Sequence, residues 1–272
     1  MRKNTITTLS CAAFLLVSCA DLDQAPVSET SDKNIPQTDA DAIALVTPIY
    51  GPNTLLSTKY SYMSDLVTET TVSGENPNGG GGMLGLLKWD GTNSYITSVW
   101  STSYEAIARA NDAIEKVGQS AKVSEAVRRR VVGEAQFMRA YYYFYLVQFF
   151  GPIPLVTTTD GGQHTVRNTE TEVYGQIVAD LTAAAAALPA KSEQAASDIG
   201  RATRGAALAA LAKTYLIWAQ NDDALSEAER HDRFALSVEA AQKVIDSGEY
   251  ALEENFHDNW NNQKRNGKES IF

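Results

Sequence analysis

The sequence has little of several things that would point to particular kinds of chemistry. It has two cysteines and three histidines among 272 residues, and 23 Lys and Arg against 33 Asp and Glu, a formal charge of −10 at pH 7. The charge argues against nucleic acid as a partner, because phosphate binding by counterion release requires a basic face. The apolar content of 44% is that of an ordinary globular protein and excludes a collagen-like or wholly disordered chain.

A long hydrophobic run is also missing, but the chain begins with a short one. Two basic residues are followed by an apolar stretch at 6–17 and by the motif Leu-Val-Ser-Cys, which ends at Cys19 and resembles a bacterial lipobox. The stretch is shorter than the roughly 20 apolar residues that a membrane-spanning helix needs. We therefore expect residues 1–18 to be a lipoprotein signal peptide and Cys19 to be acylated, which would anchor the chain to a membrane. The alternative is a simple signal peptide that is cut near Ala20.

Both cysteines belong to this N-terminal region. Cys11 falls within the expected signal peptide and Cys19 would carry lipid, so the mature domain would have no thiol for a disulfide, a metal or nucleophilic catalysis. The following residues are rich in Asp, Ser, Pro and Gln, which is typical of an extended segment. We therefore expect 19–37 to be a lipid-anchored tether and 38–272 to be the folded domain.

From residue 38 onward the apolar residues recur at steps of three and four, which predicts an all-α fold. Capping signals at Thr38 and Thr169 each open a helix, and the Gly51-Pro52 pair is expected to end the first one. Asn111, a polar residue within an apolar helix stripe, is predicted to be a buried hydrogen-bonding residue rather than a ligand contact. The pattern predicts six helices, at about 38–50, 95–118, 124–150, 169–188, 203–220 and 232–247.

A weak internal repeat indicates how these helices are arranged. Ala140 and Tyr143 recur as Ala212 and Tyr215 at a spacing of 72 residues, about twice the tetratricopeptide period of 34. We therefore predict three tetratricopeptide-like hairpins with long loop insertions, each of which joins the first helix of a pair to its second. In a stacked array these connections emerge on one edge, where we expect function to reside. The insertions are at about 51–94, 151–169 and 221–231.

The familiar catalytic templates do not fit the sequence. His164, His231 and His257 lack the spacing of zinc ligands, and no G-x-S-x-G elbow is present. The glycine-rich run at 77–82 has no Lys-Ser/Thr ending, so a flexible loop is expected in place of a phosphate cradle. We predict no catalytic residue, no metal and no cofactor. A glycosidase is a third-ranked alternative, because 33 acidic residues offer many carboxylate pairs.

Aromatic residues in polar surroundings are the strongest indication of a binding site. The stretch from Trp89 to Tyr95 combines two rings with Asp90 and Asn93. Rings stack on the C–H faces of sugars, and amides and carboxylates pair with sugar hydroxyls. The stretch is therefore a candidate sugar site, and the alternative is a loop held in place by its own aromatic residues.

Several longer stretches resemble the SusD/RagB family of outer-membrane nutrient-uptake lipoproteins from Bacteroidetes. The resemblance runs through the whole chain in the order that the family shows. It is carried by LLVSC at 15–19, VWSTSYEAIARANDAI at 99–114, GEAQFMRAYYYFYLVQFFGPIPL at 133–155, YGQIVADL at 174–181, GRATRGAALAALAKTYL at 200–216, AAQKVIDSGEYAL at 240–252 and ESIF at 269–272.

The resemblance implies a helical, tetratricopeptide-like protein anchored in the outer membrane and facing the exterior. It would capture oligosaccharides and deliver them, uncleaved, to a SusC-like TonB-dependent transporter barrel. It also implies that Trp89, Asn93, Tyr95 and Asp65 contact the ligand. Family members are about twice as long, so we expect the chain to be an N-terminal portion or an unusually short member. The alternatives are a helical scaffold that binds only protein, or binding of peptides rather than glycans.

Overall fold

Six long α-helices and one short one make up most of the described chain. The structure is a computed structural model that describes residues 36–160, 166–261 and 263–272, and no strand is present among them. The expected all-α fold is thereby confirmed. The helices are α1 (Asp39–Asp65), α2 (Gly80–Gly85), α3 (Ser94–Gln119), α4 (Glu125–Phe150), α5 (Glu170–Ala187), α6 (Arg204–Asn221) and α7 (Glu227–Asp246).

Three of the helices begin at capping boxes. Thr38, Thr169 and Ser226 each accept a hydrogen bond from the backbone of the residue three positions later, and that residue's carboxylate accepts one in return. Such caps satisfy backbone N–H groups that have no partner within the helix. The first two were predicted. The third was missed, so α7 begins several residues before its predicted start.

The predicted end of α1 at Gly51-Pro52 was wrong. The helix continues to Asp65 with Pro48 and Pro52 inside it. A proline within a helix removes a hydrogen bond and is costly, but burial on both sides of the two prolines offsets that cost. Val46, Ile49 and Leu56 are all fully buried. The first insertion is consequently much shorter than expected and consists of residues 66–79, α2 and residues 86–93.

Helix α4 lies at the centre of the domain and packs against α1, α3, α5 and α6. Its large side chains point in every direction into the core, as expected for a helix that is apolar all round. Tyr142 and Tyr143 are fully buried, and their hydroxyls donate to the carbonyls of Ile49 and Val156 at 2.7 and 2.8 Å. The helix pairs α1/α3, α4/α5 and α6/α7 form the three hairpins that were predicted.

A buried polar cluster ties α3, α4 and α5 together. Arg139 donates to both carboxylate oxygens of Asp180, at 2.8 and 2.7 Å, and to Asn111 Oδ1 at 2.8 Å. The amide of Asn111 donates in turn to the carbonyls of Val156 and Thr158. The prediction that Asn111 is a buried hydrogen-bonding residue is confirmed. The cluster holds the connection from α4 to α5 against α3.

Helix α7 carries apolar residues on two sides. Ala240 and Val244 are buried, whereas the predicted stripe of Phe234, Val238 and Ile245 is 39 to 70% exposed. The sequence pattern identified the helix but selected its more exposed side. None of the helices within the described ranges is both long enough and apolar enough to span a membrane.

Candidate functional site

The glycine run of the first insertion is packed rather than flexible. It forms the short helix α2, in which Gly81 and Gly82 are buried. A Cβ atom on Gly82 would lie 2.0 Å from the carbonyl oxygen of Asn76, and one on Gly81 would lie 2.6 Å from Glu75 Oε2. Only glycine permits so close an approach of the backbone. The expectation of a flexible loop at 77–82 was therefore wrong.

Asn93 joins α2 to α3. Its Oδ1 atom caps α3 by accepting from the backbone N–H groups of Tyr95 and Ile96, and its Nδ2 atom donates to the carbonyl of Gly80 at 3.0 Å. The residue is only 2% exposed. Burial and these bonds direct its amide into the protein, so Asn93 positions the loop, and its predicted role as a direct ligand contact is not supported by this geometry.

Tyr95 lies half-buried on the first turn of α3 and is held from three directions. Its hydroxyl donates to Glu75 Oε1 at 2.6 Å, and its ring centroid lies 5.5 Å from that of Tyr62. The ammonium group of Lys59 lies 5.6 Å from the ring centroid. The second carboxylate oxygen of Glu75 accepts from the N–H of Gly81, so one carboxylate links Tyr95 to α2. Neither Glu75 nor Lys59 was selected from the sequence.

Glu75 also changes the acidity of Tyr95. It raises the pKa of the Tyr95 phenol to about 12, because the carboxylate accepts the phenol's hydrogen bond and its negative charge opposes a phenolate. The phenol therefore holds its proton more tightly in the folded chain than in the unfolded one. Its contribution to stability is present below pH 10 and is lost as the pH rises towards 12.

The Glu75→Gln variant should lower the pKa of Tyr95 towards the ordinary value of about 10. The negative charge would be lost while the side chain keeps its size. Ultraviolet difference absorbance or NMR titration of the Tyr95 ring would measure the shift. Glu69→Gln, at another exposed glutamate of the same insertion, is the matched control and should leave the titration unchanged. An unaltered Tyr95 pKa in the Glu75 variant would contradict the contact.

Trp89 is the exposed member of the site. It is 41% exposed, and it follows Leu86 and Leu87, which are 49 and 64% exposed. Next to it, Asp90 turns the chain by accepting from the backbone N–H and hydroxyl of Thr92, at 2.8 and 2.6 Å. These two bonds lower the pKa of Asp90 below its usual range, and like any ordinary aspartate it is ionised at neutral pH. The loop thus presents an aromatic ring beside an ionised acid.

Asp65 precedes these residues in the chain, at the last position of α1. It is exposed, and its carboxylate accepts from the neighbouring hydroxyl of Ser64 at 3.0 Å. Lys59 and Tyr62, on the preceding turns of α1, are the residues that reach Tyr95. The structure thus brings Asn93 and Tyr95 together with α2, leaves Trp89 exposed on the adjoining loop, and places Asp65 at the end of a helix that contacts them.

The described residues of the site are aromatic and polar. Among residues 36–160, 166–261 and 263–272, no group of three His, Cys, Asp or Glu side chains could hold a metal ion. The site consists of one exposed ring, a second ring fixed by a carboxylate, and hydrogen-bonding loop residues. The fold and the site together define a class of protein: a tetratricopeptide-like helical domain with an aromatic loop site beside its first hairpin.

Comparison with known proteins gives the family. A family model described as "Starch-binding associating with outer membrane", named SusD-like, matches residues 28–216. The chain belongs to this SusD-like family of carbohydrate-binding proteins. A SusD-like protein of Bacteroides ovatus is 27% identical over 99% of this chain and 49% of its own length. The chain spans about half the length of the curated relatives that it matches.

Solved structures share the fold. Surface glycan-binding protein A from Bacteroides fluxus is 26% identical with a TM-score of 0.72, over 87% of this chain and 50% of that one. A structure described as containing a xylogluco-oligosaccharide is 26% identical with a TM-score of 0.66, over 85% of this chain and 45% of that one. The expected membership of the SusD/RagB family is confirmed.

Proposed function

We propose that this chain captures oligosaccharides at the aromatic loop of residues 86–95 and passes them on without cleaving them. The observation that carries the proposal is the 41% exposed ring of Trp89, on the loop that leads directly into the fixed ring of Tyr95. Two proteins of the same fold support a sugar ligand, since one is described as a surface glycan-binding protein and the structure of the other as containing a xylogluco-oligosaccharide.

In this proposal the residues in and around the loop have different physical roles. Trp89 stacks on a sugar ring, and Asp90 accepts from sugar hydroxyls. Tyr95 provides a second aromatic surface, whose position Glu75 and Tyr62 hold before the ligand arrives. Asn93 keeps the loop in register with α2 from within the protein. Asp65, exposed at the end of α1, is a further proposed polar contact.

The Trp89→Ala variant tests this proposal. We expect glycan affinity to fall about 30-fold, since a central aromatic contact contributes roughly 2 kcal/mol to binding. Calorimetry with xylogluco-, malto- and xylo-oligosaccharides would measure the loss. Trp260→Ala is the matched control, because Trp260 is 75% exposed on a different segment, and it should bind normally. Equal affinity in both variants would exclude the loop as the site.

We further propose that the chain acts as a lipid-anchored protein on the outer face of the outer membrane, with a SusC-like TonB-dependent transporter barrel as its partner. The family model's description, which associates its members with the outer membrane, supports the location. The predicted signal peptide, the lipidation site Cys19 and most of the tether lie outside the described residues. The described domain begins at Pro36, which is buried and whose carbonyl accepts from the hydroxyl of Ser120 at 2.7 Å.

Replacing the proposed lipidated residue gives a direct test of the anchor. Cys19→Ala should move the chain from the membrane fraction to the soluble fraction, because the acyl chains would be lost. Metabolic labelling with a radioactive fatty acid should be lost in parallel. Cys11→Ala, within the expected signal peptide, is the control and should leave both labelling and anchoring intact. Persistent labelling of the Cys19 variant would contradict acylation at this position.

The same protein and oligosaccharides also distinguish glycan capture from the rival functions, which are a glycosidase, a protein-binding scaffold and a peptide-binding protein. Incubation with each oligosaccharide should return it at its original length, and measurable cleavage would indicate a glycosidase. A chain that recovers a transporter barrel from membranes but retains no glycan would be a protein-binding scaffold. Retention of peptides in place of glycans would change the ligand class and leave the capture mechanism in place.

A further inference from the structure

A cleft lies on the opposite side of α1 from the aromatic loop. It has a volume of about 550 Å³ and is formed by α1, α4 and the end of α6, which places it in the size range of small-molecule sites. Its lining consists of four aromatic rings, three serines and two amide side chains, with no charged residue among them. The rings are those of Tyr60, Tyr141, Tyr145 and Phe149.

Tyr145 and Phe149 form the accessible part of an aromatic wall, and the buried ring of Tyr60 stacks against them. The ring centroids of Tyr60 and Tyr145 lie 4.1 Å apart with planes 8° from parallel. Phe149, one helical turn beyond Tyr145, is inclined by 25° to Tyr60 and by 21° to Tyr145. Tyr145 and Phe149 are only half-buried. A wall of similarly oriented rings suits the flat C–H face of a sugar.

Polar groups stand around this wall. Ser61 of α1 donates to the carbonyl of Ser57 at 3.3 Å, and Ser64 donates to the carboxylate of Asp65 at 3.0 Å. Each hydroxyl oxygen keeps lone pairs with which it can accept. Gln148 of α4 is exposed, and its Nε2 atom donates to the carbonyl of Phe144, so its amide oxygen is available as an acceptor. These groups match the hydroxyls of a sugar in type.

The lack of charge in the lining limits the ligand. Among the residues that the structure describes, no Lys, Arg, Asp or Glu lines this cleft. Lys213, whose ammonium group lies 5.9 Å from the Tyr145 ring centroid, lines the neighbouring groove instead. A sulfated or acidic sugar would therefore find no cation among the lining residues.

We propose that this cleft is a second binding site, specific for a neutral sugar unit, and that it is separate from the aromatic loop. The inference rests on the proposed function, since it assumes that the chain binds glycans. Helix α1 divides the two sites: Lys59 and Tyr62 face Tyr95, whereas Tyr60, Ser61 and Ser64 face the cleft. The chain therefore contacts a neutral glycan at two separate places.

The test uses the full chain, calorimetry and a panel of neutral xylogluco-, malto- and xylo-oligosaccharides. Ser61→Arg places a bulky charge at the cleft, and we expect it to weaken neutral-glycan binding by about tenfold or more. Gln148→Ala removes one acceptor without adding bulk and should weaken binding less. Ser101→Arg, at an exposed serine of α3, is the matched control. Trp89→Ala should retain a weaker binding event that is lost in the double variant with Ser61→Arg.

NMR locates the second event directly. In the Trp89→Ala variant, addition of the best-bound oligosaccharide should shift the side-chain amide signals of Gln148. If Ser61→Arg and Gln148→Ala bind the oligosaccharides as tightly as Ser101→Arg does, and the Gln148 signals do not move, the cleft is not a binding site. The proposal for the aromatic loop is unaffected by that result. If the unaltered chain binds no member of the panel, the proposed function is overturned and this inference with it.

Discussion

Asp180→Ala is expected to lower the free energy of unfolding by about 3–5 kcal/mol, because it leaves a buried guanidinium group without its counter-charge. Arg139 and Asp180 are 6 and 3% exposed at their side chains, and the arginine donates to both carboxylate oxygens. Losing the ion pair would destabilise the contact between α4 and α5 and, through Asn111, the contact of α4 with α3. Urea denaturation followed by circular dichroism would measure it.

The cause can be separated from simple loss of packing. Replacing both residues by apolar ones, Arg139→Met with Asp180→Leu, should recover much of the stability, since a buried ion pair is often replaceable by well-packed apolar side chains. Glu239→Gln removes one partner of the exposed pair with Lys243 and should change stability little. A cost for Asp180→Ala no greater than that of Glu239→Gln would show that the pair is not desolvated.

Gly82→Ala is expected to destabilise the first insertion, although alanine normally favours a helix. A Cβ atom there would overlap the carbonyl oxygen of Asn76 at 2.0 Å, and backbone cannot move aside as a flexible side chain can. Overpacking of this kind costs about 1–3 kcal/mol. The displacement would reach Glu75, the neighbour of Asn76, and through it the hydroxyl of Tyr95. We therefore expect weaker glycan binding as well as faster hydrogen exchange at residues 73–93.

Gly175→Ala provides the matched control for this prediction. Gly175 lies in α5, and a Cβ atom on it would meet nothing within 4 Å. Its replacement should therefore raise stability by about 0.4–1 kcal/mol, as expected for glycine in an open helix position. If the two alanine variants behave alike, the glycine run of α2 does not have the packing role described for it.

Local signals in the sequence predicted most helix boundaries because they act within a few residues. The box of Thr169 and Glu172 starts α5, and the apolar steps of α3 and α4 match the helices observed. The same local reasoning failed at Pro52, where a breaking signal was overcome by buried neighbours such as Leu56. Burial is contributed by other helices, so no short stretch of sequence reveals it.

The sequence predicted the aromatic residues of the candidate site but not the residues that hold them in position. Trp89 and Tyr95 were selected because aromatic residues in polar surroundings are unusual, and Trp89 is indeed exposed. Glu75 is twenty residues from Tyr95, and nothing in the chain between them signals their hydrogen bond. Asn93 was taken for a ligand contact, whereas an asparagine that directly precedes a helix is a common N-cap. That capping signal was available in the sequence.

The amino-acid sequence by itself determined the helical fold, the hairpin repeat and the family. Helix periodicity and caps are properties of neighbouring residues, and the repeat and the family motifs can be matched along the chain without knowing how the helices pack. Only the tertiary structure decided which residues share a surface. It placed the carboxylate of Glu75 on Tyr95, closed the glycine run against Asn76, and set α1 between the aromatic loop and the cleft. The reason is physical: contacts between distant segments depend on how whole helices pack, and that packing is settled by the combined burial of many side chains.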